Sequence, residues 1–258
     1  MSLNIEEILD FACKTAKAAG ECTLKYFKKN VEIISKSDNS PVTIADREAE
    51  LLMRKMIQEK FPDHGILGEE FERHNKDAEV QWILDPIDGT VGFIHGIPLY
   101  TNLIGITVKN EPVIGVINAP CLNEMVYAAK GKGAFLNGNK TTVRKTTELK
   151  NASLMTSDVQ YFNEYGYKNS FEELLKKVKT HRTWGDAYGH LMVASGRADV
   201  MLDPVLNIWD AAALLPVINE AGGSFTDLTG NSRIDGGNGF SCPPELKQEL
   251  LDIFSKHN

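Results

Sequence analysis

The sequence predicts a layered α/β (α+β) sandwich, and three observations carry the prediction. Amphipathic helices open and close the chain, short apolar strands crowd its first half, and strands and helices alternate through its second. Ile5, Ile8, Leu9, Ala12, Ala16, Ala19 and Phe27 fall near one face of a first helix, with lysines and glutamates elsewhere. A polar stretch, Ser35 to Pro41, leads into a second helix. Thr43 is its N-cap, Ala49, Leu52, Met53, Met56 and Ile57 form its buried stripe, and Phe61-Pro62 ends it. Strands are expected at 65–67, 80–84, 99–108, 113–119 and 125–128, with turn signals at Asn110-Glu111-Pro112 and Gly131-Lys132-Gly133. Beyond residue 150 the pattern gives a strand near Leu154, a helix over 171–178, a strand ending at Trp184 and a helix through 190–195. A strand over 199–202, a helix from Asp210, a strand around Phe225 and an amphipathic helix over 244–254 complete it.

At 258 residues the chain can bury a core without disulfides or structural metals. It reads as one compact unit over 1–258, with two lobes, 1–145 and 146–258. A net charge of −7 argues against a nucleic-acid or anionic-membrane partner. Cys13, Cys22, Cys121 and Cys242 form no CxxC pair and read as buried reduced thiols. Neither a charged-then-apolar leader nor an apolar run of membrane-spanning length is apparent, which leads to the expectation of a cytoplasmic protein with no membrane partner.

Three carboxylate clusters stand at the ends of apolar strands or the start of an apolar helix: Gly68-Glu69-Glu70, Asp85-Pro86-Ile87-Asp88-Gly89-Thr90 and Trp209-Asp210-Ala211-Ala212-Ala213. A partly desolvated carboxylate is costly unless a cation or donor meets it. In the second cluster Pro86 fixes one φ and Gly89 permits a tight turn, so Asp85 and Asp88 can converge, with the Ile87 carbonyl between them. Oxygen donors without His or Cys suit Mg²⁺ or Mn²⁺ rather than Zn²⁺. Taken singly, Glu69-Glu70 reads as a solvated loop and Asp210 as a helix cap. Their joint occurrence points to a metal site. The chain carries no P-loop, no dinucleotide fingerprint, no GxSxG elbow and no HExxH, and its six histidines lack metal-ligand spacing. The loop also lacks the DxD spacing of an aspartyl-phosphate phosphatase.

In this order and separation, the three clusters resemble the inositol monophosphatase family. The resemblance extends upstream to Ser40-Pro41-Val42-Thr43-Ile44-Ala45-Asp46 and downstream to Glu220-Ala221-Gly222-Gly223. It implies the αβαβα sandwich of the sugar-phosphatase superfamily, a small phosphate ester as substrate, and often a homodimer. It also implies metal ligands at Glu69, Asp85, the Ile87 carbonyl, Asp88 and Asp210, with Asp46 approaching a further ion through water. Thr90 with Glu69 would position the attacking water, and the Gly89 and Thr90 amides would hold the phosphate. Two or three Mg²⁺ would invert the local sign, so that an acidic protein can accept a phosphate dianion and activate water without a phosphoenzyme.

Within the family, Trp184-Gly185-Asp186-Ala187-Tyr188-Gly189 and Leu202-Asp203-Pro204 followed by Asn207-Ile208-Trp209-Asp210 look closest to the histidinol-phosphate phosphatase branch. Histidinol phosphate carries an ammonium and an imidazole, which Asp186 and Asp203 could pair with, and Arg182 is expected as a further substrate-binding residue. An inositol-1-phosphate phosphatase is the alternative, and a non-catalytic metal-binding adaptor on the same fold a second one. A bisphosphate substrate would need basic residues for its second phosphate, and Lys36, Arg182 and Arg197 are scattered.

Overall fold

In the computed structural model, which describes residues 3–29, 33–35 and 41–256, Asn4 caps helix α1 (Ile5–Leu24) by accepting the Glu7 amide at 3.3 Å. Lys36 and Ser40 lie outside the described residues. A short antiparallel pair, β1 (Ile33–Ser35) and β2 (Pro41–Thr43), runs into α2 (Ile44–Lys60). There the Thr43 hydroxyl accepts the Ala45 amide at 3.1 Å, so the expected N-cap is in place.

The first sheet has the strand order β3-β4-β5-β6-β7-β8-β9 and is antiparallel except for the β3–β4 pair. Its members are β3 (Gly65–Gly68), β4 (Val80–Asp88), β5 (Thr101–Val108), β6 (Glu111–Ala119), β7 (Glu124–Ala129), β8 (Gly133–Leu136) and β9 (Asn139–Thr141). A short helix, α3 (Thr90–Ile94), separates β4 from β5. Period-two alternation divides the residues between two cores. Val80, Trp82, Leu84, Ile104 and Ile106 pack on Ala12, Ala16, Met53 and Ile57 of α1 and α2, whereas Leu103, Ile117 and Val126 face the opposite side.

The second sheet, order β11-β10-β12-β14-β13, contains β10 (Ser153–Thr156), β11 (Thr180–Arg182), β12 (Val200–Asp203), β13 (Ser224–Thr226) and β14 (Gly239–Cys242). Helices α4 (Gln160–Glu164) and α5 (Lys168–Lys177) lie between β10 and β11 in sequence, and α6 (Asp186–Ala194), α7 (Ile208–Glu220) and α8 (Lys247–Ser255) complete the chain. Residues of α6 and α7 fill the core between the sheets, while α5 and α8 cover the outer face of the second. The layers therefore read αβαβα. Helix α7 comes from the second half of the chain yet lies against the first sheet, where a Cβ at Gly105 or Gly115 would collide with Ala212 or Ala213. No described helix is long and apolar enough to cross a membrane.

Several elements begin earlier than their periodicity suggests. Helix α6 starts at Asp186 and α7 at Ile208, and β4 runs past Leu84 to Asp88 through a bulge. Strands β1, β2, β8, β9 and β14 and helices α3 and α4 span only three to five residues each. That is too short for a hydrophobic period to register.

Candidate active site

Because β3 and β4 are parallel, their C-terminal ends lie side by side, with Gly68 opposite Leu84. Glu69 follows Gly68, and Asp85 follows Leu84 within β4. The Glu69-Glu70 turn is anchored from beneath by Glu50, which accepts the Glu70 amide at 2.8 Å and Arg54 Nε at 2.6 Å. A Cβ at Gly68 would collide with that Glu50 carboxylate. After Asp85 the β4–β5 register jumps, from Asp85 opposite Leu103 to Asp88 opposite Thr101. The bulge is held by the Ile87 amide donating to Asp85 Oδ1 at 2.9 Å and by Asn102 Nδ2 donating to the Pro86 carbonyl at 2.7 Å. Asn118 orients Asn102 at 2.8 Å. Asp88 Oδ2 accepts from Thr101 Oγ1 at 3.2 Å and from the Ala187 amide at 2.7 Å, which ties β4 to α6. In the first turn of α7, Asp210 accepts the Asn207 amide at 2.6 Å, so it does serve as a cap while also facing the cluster.

One carboxylate oxygen each from Asp85, Asp88 and Asp210 falls within 4.8 Å of the others. Burial raises all three above the ordinary carboxylate range, and the charges around them add to it. Asp85 feels Glu69, Asp88, Asp210 and Asp46, and Asp210 is pushed up to about 7. Burial also lifts Asp46 to about 6, against the hydrogen bonds that Thr43 donates to its Oδ2. Its Oδ1 is buried without a hydrogen-bond partner among the described residues. An all-oxygen donor set, mutually repelling and neighboured by one orphaned buried oxygen, fits a divalent cation of the hard type. Asp85, Asp88 and Asp210 are the residues that would hold it.

These groups border a cleft of about 230 Å³ whose lining includes Glu69, Asp85, Ile87, Asp88, Gly89, Thr90, Asp186, Asp203 and Asp210. Gly89 has φ of 82°, the left-handed conformation that favours glycine, and a Cβ there would come within 2.8 Å of Asp186 Oδ2. Thr90 Oγ1 donates to the Ile87 carbonyl at 3.0 Å, which leaves that carbonyl a second lone pair. The Asp186 carboxylate makes no hydrogen bond or ion pair among the described residues. Burial, then the charge of Asp203, lifts it to about 7. Arg182, expected near the substrate, lies outside the lining; it is exposed and donates to the His181 carbonyl. Arg197 is also committed elsewhere, with both terminal nitrogens on Glu124 at 2.9 and 2.8 Å.

Sequence reasoning missed Glu50, Thr101, Asn102, Ser157 and His190, all of which support site residues. A polar residue inside an otherwise apolar strand was an available signal only at Thr101 and Asn102.

Carboxylates gathered from both halves of an αβαβα sandwich around one cleft form a site suited to divalent cations. A model of the inositol monophosphatase family matches residues 4–258, and the chain belongs to that family. It is 42% identical over 232 residues to a histidinol-phosphatase of Chlorobaculum parvum, covering 90% of each chain. To the histidinol-phosphatase of Mycobacterium tuberculosis it is 35% identical over 249 residues, covering 94% of this chain and 96% of that one. The fold superposes on the extragenic suppressor protein suhB of Bartonella henselae with a TM-score of 0.91 at 28% identity, covering 98% of this chain and 100% of that one.

Proposed function

We propose that the enzyme hydrolyses histidinol phosphate to histidinol and inorganic phosphate, with Mg²⁺ as the divalent ion. The observation that carries this reading is the charge of the cleft. Among the described residues its lining holds six carboxylates, Glu69, Asp85, Asp88, Asp186, Asp203 and Asp210, and no lysine, arginine or histidine. Four of them suffice for a metal site; Asp186 and Asp203 remain on the wall toward α6 and β12. A phosphate ester with a cationic body satisfies them, whereas a neutral polyol or a second phosphate does not. Asp186, without a hydrogen-bond or ion-pair partner among the described residues, is the member of that pair best placed to receive the ammonium.

Bound divalent ions supply positive charge for the phosphate dianion and Lewis acidity for water and leaving oxygen. The protein does the rest. The Gly89 and Thr90 amides border the cleft and hold phosphate oxygens. The Thr90 hydroxyl, its proton committed to the Ile87 carbonyl, accepts a hydrogen bond from the attacking water, and Glu69 takes that water's proton.

The test is phosphate release with Mg²⁺ from histidinol phosphate and from inositol 1-phosphate at equal concentration. The reading expects kcat/KM at least about tenfold higher on histidinol phosphate, one charge-assisted contact's worth. Equal or reversed preference overturns the substrate and leaves the phosphatase.

A further inference from the structure

On the face of the first sheet toward α7, the side chains of β3, β4 and β5 continue beyond the catalytic cleft. Leu67 pairs in register with Ile83, and Gln81 with Thr107. These four line a second cavity, of about 380 Å³, closed by Arg73, Ile208 and the 232–235 segment. Its volume lies within the range of small-molecule sites, and its floor is apolar with a few polar groups.

We propose that this cavity binds a small organic carboxylate and that occupancy alters turnover. The polar groups argue for the ligand. Thr107 is largely buried, but its hydroxyl is open to the cavity and has no protein partner among the described residues. A ligand oxygen in the cavity can accept a hydrogen bond from it. Gln81 is already committed, its amide nitrogen donating to the Asn75 and Ala78 carbonyls at 3.0 Å each. Arg73 donates to Gln81 Oε1 at 3.3 Å and has no ion-pair partner among the described residues. Arg233 is paired with Asp235 at 2.7 Å. Two guanidiniums against one carboxylate leave a single positive charge at the rim. That matches a monoanion better than a phosphate dianion, and the guanidinium fork matches a carboxylate.

The position argues for the effect. Leu67 lies two residues before Glu69, Ile83 two before Asp85, and Ile208 two before Asp210. Three segments that deliver metal-directed carboxylates thus form the cavity wall. A ligand that binds one spacing of β3, β4 and α7 more tightly than another shifts the spacing of those carboxylates.

The probe is 4-fluorobenzoate, followed by ¹⁹F NMR on the Mg²⁺-loaded enzyme, with phosphate release measured in parallel on any ester it hydrolyses. Saturable millimolar binding is expected, with a change in kcat or KM of at least about twofold. Thr107→Val and Arg73→Gln should each weaken binding roughly fivefold while leaving the benzoate-free rate unchanged. The uncharged 4-fluorobenzamide should bind more weakly than the acid. The proposal is overturned by no saturation at tens of millimolar, by binding indifferent to both substitutions, by displacement with inorganic phosphate, by equal binding of the amide, or by occupancy without a rate change. Because binding is read without turnover, these outcomes stay separate from the identity of the substrate.

Discussion

Asp203 is gripped by His190, whose Nε2 donates to Oδ2 at 3.0 Å, while Ser157 Oγ donates to Oδ1 at 2.6 Å. His190 is fully buried, and its other ring nitrogen lies 2.6 Å from Ser241 Oγ. The carboxylate at the cleft wall is therefore held rigid rather than left free. Removing the imidazole strands Asp203 and Ser241 in the core, so His190→Ala should cost about 3 kcal/mol in denaturant unfolding. The residual enzyme should show a raised KM with kcat nearly kept, because the wall moves and the metal cluster does not. A collapsed kcat with unchanged KM would instead place Asp203 in the chemistry.

Asp186 has φ of 53°, a left-handed conformation that asparagine tolerates almost as well as aspartate. Asp186→Asn therefore removes charge while keeping the backbone. On histidinol phosphate KM should rise about tenfold, the worth of one charge-assisted contact, with little change on inositol 1-phosphate. A parallel loss on both esters would mean that Asp186 serves the cluster rather than the amine.

The acidic cluster sets the sign of the pH response. Asp46, at about 6, and Asp186 and Asp210, at about 7, are raised above the unfolded carboxylate value by burial first and neighbouring charges second. Asp85 and Asp88 move the same way. In this window the cation-free folded state binds more protons than the unfolded chain. Its stability is therefore fullest below about pH 4 for these groups and is lost as pH rises toward about 7. A divalent ion needs the ionised carboxylates and relieves their repulsion, so the Tm gain on adding Mg²⁺ should be larger at pH 8 than at pH 5.5. A gain that is equal or larger at the lower pH would move the cation elsewhere.

The opposite sign belongs to Asp199. Burial pushes its carboxyl up, but Thr146, the Ser153 amide and hydroxyl, and Arg144 hydrogen-bond it at 2.6–3.0 Å, and the net effect is downward. Its contribution is present above the unfolded carboxylate pKa and lost as pH falls through the depressed folded value. Asp199→Asn should lower the unfolding free energy by about 2 kcal/mol at pH 7, the range for hydrogen bonds to a charged group. The difference between variant and parent should shrink in acid. A constant difference down to pH 3 would show that packing, not charge, holds this junction.

The layered fold and the clustering of Asp85 and Asp88 were legible in the sequence because each carries a local signature. Trp82, Leu84, Ile104 and Ile106 alternate with the other face, and Asp85 to Thr90 packs a proline, a glycine and two acids into one turn. The supports were not legible. Glu50 sits on α2 among charged neighbours and looks like surface, yet it is fully buried beneath a loop twenty residues away. His190 reads as a packing residue until Asp203 is placed beside it, and Arg182 reads as a substrate contact until its side chain is found in solvent. In each case the deciding contact is long-range, and no periodicity encodes it.

Glu50 gives the sharpest test of such hidden support. Its two oxygens hold the Glu70 amide and Arg54, and the bare α-carbon of Gly68 is what lets it reach them. Glu69 therefore inherits its position from a residue that does not border the cleft. Glu50→Gln keeps the shape but sets an amide NH₂ against one of two donors, so activity and divalent affinity should fall roughly 10- to 100-fold, as for groups that orient metal ligands. Gly68→Ala should do the same through collision, with a further loss of stability. The Mg²⁺ midpoint and the Mg²⁺-induced Tm shift separate the outcomes. A weakened midpoint in both variants, with folded spectra, confirms the strut. Unchanged midpoints would mean that the Glu69 turn holds its geometry without Glu50.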